Sequence, residues 1–278
     1  RRAPAHEQPQ IASRLGWLNK EMGSEGAARR YFGRARAGHV FTPVVTWAIL
    51  AVTVGIGVSM LLSPGSAELW VDLLSLDKQA VREGELWRLV TVTLVHGNLL
   101  HLGFNMYALY IVGPIVEGLY GRGLFVLFYV LTAAVGSVAS YLVLENRSVG
   151  ASGAVFGLFG LLMLSNWIHK PALGRQARDL SGRIAILIVF NLAIGFGIGG
   201  GFMGGRIDNA AHVGGLVAGA WLGLAIAPRS FLAAAVRPGD PPMTTRDRRL
   251  SSPLLGTAAV LVVVAVIAAA LSFPPLWA

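Results

Sequence analysis

One stretch of the sequence decides the fold, GASGAVFGLFGLLMLSNWIH at residues 150–169. After Ser152 it continues with small and apolar side chains alone as far as Leu164, and this composition predicts a membrane helix. A second apolar segment has His212 near its start. Hydroxyl and imidazole groups are costly in hydrocarbon, so polar groups at membrane depth indicate a site rather than a scaffold.

The composition of the whole chain supports a membrane protein. Of the 278 residues, 54% are hydrophobic and 13% are charged, and the mean hydropathy is +0.62. Soluble domains carry roughly 25% charged residues. The chain has no cysteine, which excludes disulfide frameworks, thiolate zinc sites and cysteine nucleophiles. The fold class that we expect is therefore an all-α, polytopic transmembrane bundle.

Seven apolar stretches have lengths close to the roughly 20 residues that a helix needs to cross a bilayer. They are residues 41–62, 99–120, 124–144, 152–169, 184–200, 210–227 and 253–271. This spacing predicts a basic, solvated tail at residues 1–40, in which at most one short helix is expected, and a six-helix core at residues 41–227. A charged linker at 228–252 and an additional C-terminal helix within 253–278 follow. The long loop at 63–96 is apolar enough to lie in the membrane interface.

The placement of Lys and Arg sets the expected orientation. If the N-terminus is cytoplasmic, 18 of these residues lie inside and 5 outside, which is the bias of a cell-membrane protein with this orientation. The net charge of +9 is then a topology signal that acts with the lipid bilayer, and it needs no nucleic-acid partner.

In this topology the second, fourth and sixth spans all run inward from the outer face. Four polar residues then lie at similar depth, in the first turns of these helices: His101, Asn105, Ser152 and His212. His101 and Asn105 are spaced to project from one helical face. Ser152 at a helix N-terminus has free backbone N–H groups beside it. Asp208, one turn before His212, could orient the imidazole, but its position favours a solvated loop end.

Small residues predict how the serine and histidine helices meet. Gly153, Gly157 and Gly160 follow Ser152, while Gly215 and Gly219 lie on the face of His212. Such small-residue faces let membrane helices touch, so a short serine side chain can reach the imidazole. A serine and a histidine brought together can act as a nucleophile and its base, which predicts a serine protease working inside the bilayer.

With these motifs in order, residues 41–227 resemble the rhomboid family of intramembrane serine proteases, and the last helix resembles that of its six-plus-one bacterial type. The motifs are Trp87-Arg88, His96, His101-Leu102-Gly103-Phe104-Asn105, Glu117 with Gly121-Arg122, Gly150-Ala151-Ser152-Gly153 and Ala211-His212-Val213-Gly214-Gly215. The resemblance implies that Ser152 is the nucleophile and His212 the base, with no acidic third member. It also implies an oxyanion hole formed by His101, Asn105 and the Ser152 amide.

The resemblance gives supporting roles to further residues. Phe156 stands where an aromatic ring packs under the base, and Gly150 and Gly153 belong to the nucleophile motif. His96 has either a structural bond to the loop or a role towards substrate, and Trp87 and Arg88 are structural. No cofactor and no metal are expected, because no zinc-binding pattern accompanies the histidines. The implied substrates are single-pass transmembrane proteins, cut near the outer face.

Two other functions remain open. A rhomboid-like protein without protease activity could bind transmembrane clients, although it usually lacks the serine or the histidine. A small transporter or channel should show paired broken helices or ionisable groups at mid-membrane, and the sequence has neither. For substrate entry, the glycine-rich residues 195–205 are predicted to act as a gate that Phe202 and Met203 help to close.

Overall fold

The described part of the chain is built from helices. A computed structural model gives the structure of residues 8–37, 42–168, 182, 188, 207–228 and 253–277. Its helices are α1 (Gln8–Glu21), α2 (Glu25–Ala37), α3 (Val44–Leu62), α4 (Pro64–Leu74), α5 (Lys78–Arg82), α6 (Arg88–Thr91), a 3₁₀ turn (Val92–Leu94), α7 (Leu99–Tyr120), α8 (Arg122–Val143), α9 (Ser152–Ile168), α10 (Asn209–Ala225) and α11 (Pro253–Leu271). This confirms the expected all-α membrane bundle.

The first structural unit, residues 1–42, contains a helical hairpin. Helices α1 and α2 meet at a turn where Gly23 has a φ of 74°. The Phe32 ring makes an edge contact with Trp17 at 5.5 Å and fills the space beside Gly16. The prediction of at most one short helix in this tail is therefore corrected, because the tail contains two. Short helices are marginal alone, and here the contact between them supplies the missing stabilisation.

The second unit, residues 43–278, contains the membrane helices. Within the described residues, four helices are long and apolar enough to cross a bilayer, namely α3, α7, α8 and α11. They correspond to the first, second, third and last expected spans. Helices α9 and α10 are shorter, with 17 residues each. The expected fifth span and the proposed gate at residues 195–205 lie outside the described residues, apart from Ile188 in that span.

Helix α9 lies at the centre of the second unit. Its side chains are buried almost throughout, and Leu158 and Leu161 are fully shielded. It packs against α7, α8 and α10. The outer helices α3 and α11 are mostly exposed, as expected for surfaces that face lipid. Helix α11 is nevertheless attached to the core, since the Trp221 indole donates to the Ala259 carbonyl at 3.2 Å.

Glycines bring α9 and α10 into backbone contact, as their spacing predicted. A Cβ added to Gly215 would lie 2.0 Å from the Gly153 carbonyl oxygen, and one added to Gly219 would lie 1.8 Å from that of Gly157. No side chain fits in either place. The two helices therefore approach as closely as their backbones allow, and this contact places the first turn of α10 beside the first turn of α9.

The long loop between α3 and α7 folds into short helices, and several of its apolar side chains, including Leu69 and Trp87, are about half exposed. Asp77 caps α5, accepting hydrogen bonds from the Gln79 and Ala80 amides. A small apolar cluster, including Leu76 and Val81, packs this loop on α8. The loop thereby forms a fixed wall beside the start of α9.

Candidate active site

The connector between α8 and α9, residues 144–151, leads into Ser152 and is fixed by several hydrogen bonds. The backbones of Ser148 and Leu76 exchange two hydrogen bonds, at 3.0 and 3.2 Å, and the Gly150 amide donates to the Val92 carbonyl at 3.1 Å. Gly150 has a φ of 124°, in the region that favours glycine. These contacts place Ser152, whose side chain is partly buried, at the first residue of α9.

His212 lies in the first turn of α10 and is only 4% exposed. Its imidazole stacks on the Phe156 ring, with centroids 4.2 Å apart and planes 8° from parallel. The structure thus finds Phe156 under the histidine, at the place expected from the sequence. Among the described residues the buried Nδ1 atom of His212 has no hydrogen-bond partner, so no carboxylate of this part of the chain orients the ring.

Ser152 and His212 flank the backbone contact between Gly153 and Gly215. A Cβ on Gly215 would lie within 3.2 Å of the Gly153 Cα, so the residue after Ser152 touches the residue one turn after His212. No hydrogen bond joins the serine hydroxyl to the imidazole in these described residues. Catalytic hydrogen bonds are commonly long without substrate and shorten when it binds, so the arrangement fits a nucleophile and its base.

Of the two expected oxyanion donors on α7, His101 lies beside the same connector. A Cβ added to Gly150 would lie 2.7 Å from the Nε2 atom of His101, so the imidazole covers the backbone just before Ser152. Asn105 is 6% exposed, and its side-chain amide donates to the His101 carbonyl at 3.0 Å. The His101 ring is therefore close to the start of α9, whose first N–H groups have no acceptor within their own helix, and Asn105 is bound one turn further along α7.

His96 takes a structural position. Its Nε2 atom accepts a hydrogen bond from the Ala151 amide at 3.3 Å, and its ring meets that of His101 edge-on at 5.1 Å. Of the two roles expected for this histidine, the structure displays the bond to the loop.

Trp87 and Arg88 lie in the loop between α3 and α7. Trp87 is about half exposed, and its indole donates to the Leu73 carbonyl at 3.4 Å. The Arg88 guanidinium is buried, pairs with Glu85 at 2.5 Å and donates to the Ser75 carbonyl at 3.0 Å. Both side chains therefore stabilise the loop by binding backbone carbonyls within it.

Asp208 departs from the expectation of a solvated loop end. One carboxylate oxygen accepts from the Ala211 amide at 2.9 Å and so caps α10. The other accepts from the hydroxyls of Ser140 and Ser148. The carboxylate is thus turned to these serines and not to the imidazole. A capping signal, Asp before the Asn209-Ala210-Ala211-His212 run, could have identified its first role from sequence.

A cavity of about 20 Å³ opens beside Ser152. Ser148, Asp208 and Ala211 form part of its wall. A cavity needs roughly 10–15 Å³ and polar partners to hold a water molecule, so this one has the size and the lining for a water next to the serine. Among the described residues no group of three metal-ligating side chains stands together.

Comparison with known proteins agrees with this geometry. The model of the Rhomboid domain matches residues 83–229. The chain belongs to the rhomboid family. The matched region includes the part of the α3–α7 loop that follows α5 and both the serine and histidine helices, so the rhomboid domain contains every side chain described above as part of the site.

Named relatives support the assignment. The chain is 32% identical over 179 residues to the "Putative rhomboid protease YdcA" of Bacillus subtilis, covering 64% of this chain and 85% of that protein. It is 39% identical over 146 residues to "Rhomboid protease GluP" of the same organism, covering 51% and 26%. It is 37% identical over 171 residues to "RHOMBOID-like protein 5" of Arabidopsis thaliana, covering 60% and 52%. The chain thus spans about a quarter of the Bacillus subtilis protein GluP and about half of the Arabidopsis thaliana protein.

Proposed function

We propose that this rhomboid protein is an intramembrane serine endopeptidase in which Ser152 is the nucleophile and His212 the general base. The observation that carries the proposal is the contact of Gly153 with Gly215, which brings the two side chains to neighbouring first turns. The stacking of His212 on Phe156 holds the imidazole in one plane. Because no third group binds Nδ1 among the described residues, the pair works as a dyad.

The reaction proceeds through an acyl-enzyme. The Ser152 oxygen attacks the carbonyl carbon of the scissile bond while its proton passes to His212. The tetrahedral intermediate collapses, the C–N bond breaks and His212 returns the proton to the leaving amine. A water molecule then attacks the ester with His212 again as base, and the acid product leaves as Ser152 regains its proton. The cavity beside Ser152 is suited to supply this water.

The oxyanion formed in both steps is stabilised by donors that already surround the connector. The Ser152 amide lies at the positive end of the α9 dipole, and His101 and Asn105 approach from α7. Asn105 donates to a backbone carbonyl of its own helix in the present structure, so it must turn from that carbonyl to reach the oxyanion. Donors fixed in a dry site are effective because they need little reorganisation during the reaction.

The substrates follow from the surroundings of the site. The protein is a multi-pass membrane protein, and its serine lies at the buried start of a central helix. Transmembrane segments are therefore the peptide substrates that can reach it, and single-pass membrane proteins are the simplest source. In this proposal the protein lies in the cell membrane with its N-terminus in the cytoplasm. Cleavage then occurs near the outer face of that membrane.

A fluorophosphonate probe tests this proposal on the purified chain in liposomes. We expect labelling of the wild type, cleavage of a co-reconstituted single-pass substrate, and loss of both in Ser152→Ala. His212→Ala should abolish cleavage, and the double variant should be no worse, because coupled groups lose activity non-additively. Substantial cleavage by a single variant would exclude the dyad. Substrate capture without labelling or cleavage by the wild type would instead favour a non-proteolytic client-binding protein.

A further inference from the structure

A polar cluster around one buried lysine connects four parts of the molecule outside the reacting groups. It consists of Lys78 in α5, Ser140 in α8, Ser148 in the connector before Ser152, and Asp208 at the start of α10, and we call it the polar clamp. Lys78 is 2% exposed and is among the largest fully shielded side chains described, although it is charged in water. A buried ammonium needs partners, and the clamp supplies them.

The hydrogen bonds of the clamp form a continuous chain. The Lys78 ammonium donates to the Asn146 carbonyl and, at 2.6 Å, to the Ser148 hydroxyl. The Ser148 hydroxyl donates in turn to the Asp208 carboxylate at 2.7 Å. The Ser140 hydroxyl donates to the same carboxylate oxygen. One serine hydroxyl therefore bridges a buried cation and a carboxylate.

Each end of this series of hydrogen bonds lies close in sequence to one of the two reacting residues. Ser148 belongs to the short connector that ends at Ser152, and its backbone is also bound to Leu76. Asp208 caps α10 through the Ala211 amide, and the His212 amide donates to the Asp208 carbonyl at 3.2 Å. The clamp thus joins the backbone before the serine to the helical turn that carries the histidine.

We propose that Asp208 and Lys78 are positioning residues, which act through Ser148 to fix the placement of Ser152 relative to His212. The inference rests on the proposed protease function for its kinetic test, but not for its structural test. Neither residue touches the imidazole in this structure, so their effect passes through the backbone. The buried Lys78 ammonium resists displacement, because moving it away from Ser148 would leave a buried charge without its hydrogen-bond partner at high cost.

The charge state of Lys78 adds a pH signature. Burial lowers the pKa of Lys78 to about 8, against the opposing effect of Asp208 and Asp77. Asp77 is itself paired with Arg147 at 2.8 Å, and Arg147 also pairs with Asp72. Lys78 is therefore protonated below about pH 8 and loses its charge above it, which weakens the bond to Ser148. The clamp should loosen as the pH rises through this value.

The kinetic test uses variants that keep the fold of the helix ends. Asp208→Asn retains a good cap but loses the charge, and Ser148→Ala removes only the bridge. We expect each to lower kcat at least tenfold with KM changed less than twofold. For the wild type we expect a decline in activity as the pH rises above about 8. Lys78→Met should lower kcat as the other variants do and should also remove this decline. Asp72→Asn, which removes an exposed carboxylate from the same loop, is the matched control and should match the wild type.

The structural test needs no catalysis. Because the chain has no cysteine, Ser152→Cys and His212→Cys can be introduced together and their rate of disulfide formation measured. We expect this rate to change at least threefold when Asp208→Asn or Ser148→Ala is added, and to stay constant with Asp72→Asn. If the wild type proves inactive while the clamp variants still change this rate, the protease proposal fails and the clamp stands. Unchanged disulfide formation and unchanged kcat in either folded clamp variant would overturn the inference.

Discussion

Gly150 is the residue whose replacement should separate packing from backbone strain at the site. With a φ of 124°, alanine there carries a strain of about 1–3 kcal/mol. Its Cβ would also lie 2.6 Å from the His101 ring, so the imidazole must move. We expect Gly150→Ala to abolish measurable cleavage. The matched variant is Gly84→Ala, since Gly84 has a φ of 105° but no atom within 4 Å of an added Cβ.

Comparing these two alanine variants isolates the contribution of His101. Thermal unfolding followed by circular dichroism measures the strain, which both should share. Substrate cleavage measures the displaced imidazole, which only Gly150→Ala should show. Equal activity in the two variants would mean that the His101 position does not matter for the reaction.

At the same scale, the sequence predicted which residues meet but not what holds them. Ser152 and His212 could be placed because each lies in the first turn of an apolar helix, and the family resemblance placed Phe156 under the histidine. Lys78 could not, because its partner Ser148 is 70 residues away and no pattern signals a lysine that is buried. Asp208 was assigned to solvent for a related reason. The serines that bind it belong to α8 and to the connector, and only the folded chain brings them together.

Among the elements, the pairing of α9 with α10 depends on glycine at fixed positions. Gly219 lies two turns beyond His212, and a Cβ there would collide with the Gly157 carbonyl oxygen at 1.8 Å. Gly219→Ala must push the helices apart, at about 1–3 kcal/mol for an overpacked contact. We expect a lower Tm together with a kcat reduced at least tenfold, since the dyad is separated with its helices.

The control for this prediction is another glycine inside a membrane helix. Gly55 in α3 has no atom within 4 Å of an added Cβ, and alanine favours a helix over glycine by about 1 kcal/mol. Gly55→Ala should therefore keep the wild-type Tm or raise it, with cleavage unchanged. A Gly219→Ala variant that behaves in the same way would show that α9 and α10 can separate without consequence.

The sequence predicted helix boundaries correctly where the thickness of a membrane sets the helix length. It did not predict the helices whose boundaries depend on packing against other segments. The four long spans were recovered because their apolar length is a bilayer requirement. The α1–α2 hairpin was missed, since its stability comes from Phe32 lying against Gly16 and Trp17, a contact between separate segments. The short helices of the loop between α3 and α7 were missed for the same reason, because the side chains that hold them, including Leu76 and Val81, pack on α8.

For the whole molecule, the distribution of basic residues predicts that the clamp and Ser152 open to the outside. With 18 Lys and Arg on one side and 5 on the other, the hairpin of α1 and α2 should be cytoplasmic and the α8–α9 connector external. The absence of native cysteines makes this directly measurable. Ser24→Cys lies in the hairpin turn and Glu145→Cys in the connector, and both native side chains are exposed.

In intact cells, a membrane-impermeant maleimide should label Glu145→Cys and leave Ser24→Cys unlabelled. After the membrane is permeabilised both should react, which shows that Ser24→Cys is accessible and was shielded only by the bilayer. The cysteine-free wild type measures the background. Labelling of Ser24→Cys alone in intact cells would invert the orientation. In that case Ser152, at the same end of the bundle as the connector, would cleave its substrates near the cytoplasmic face.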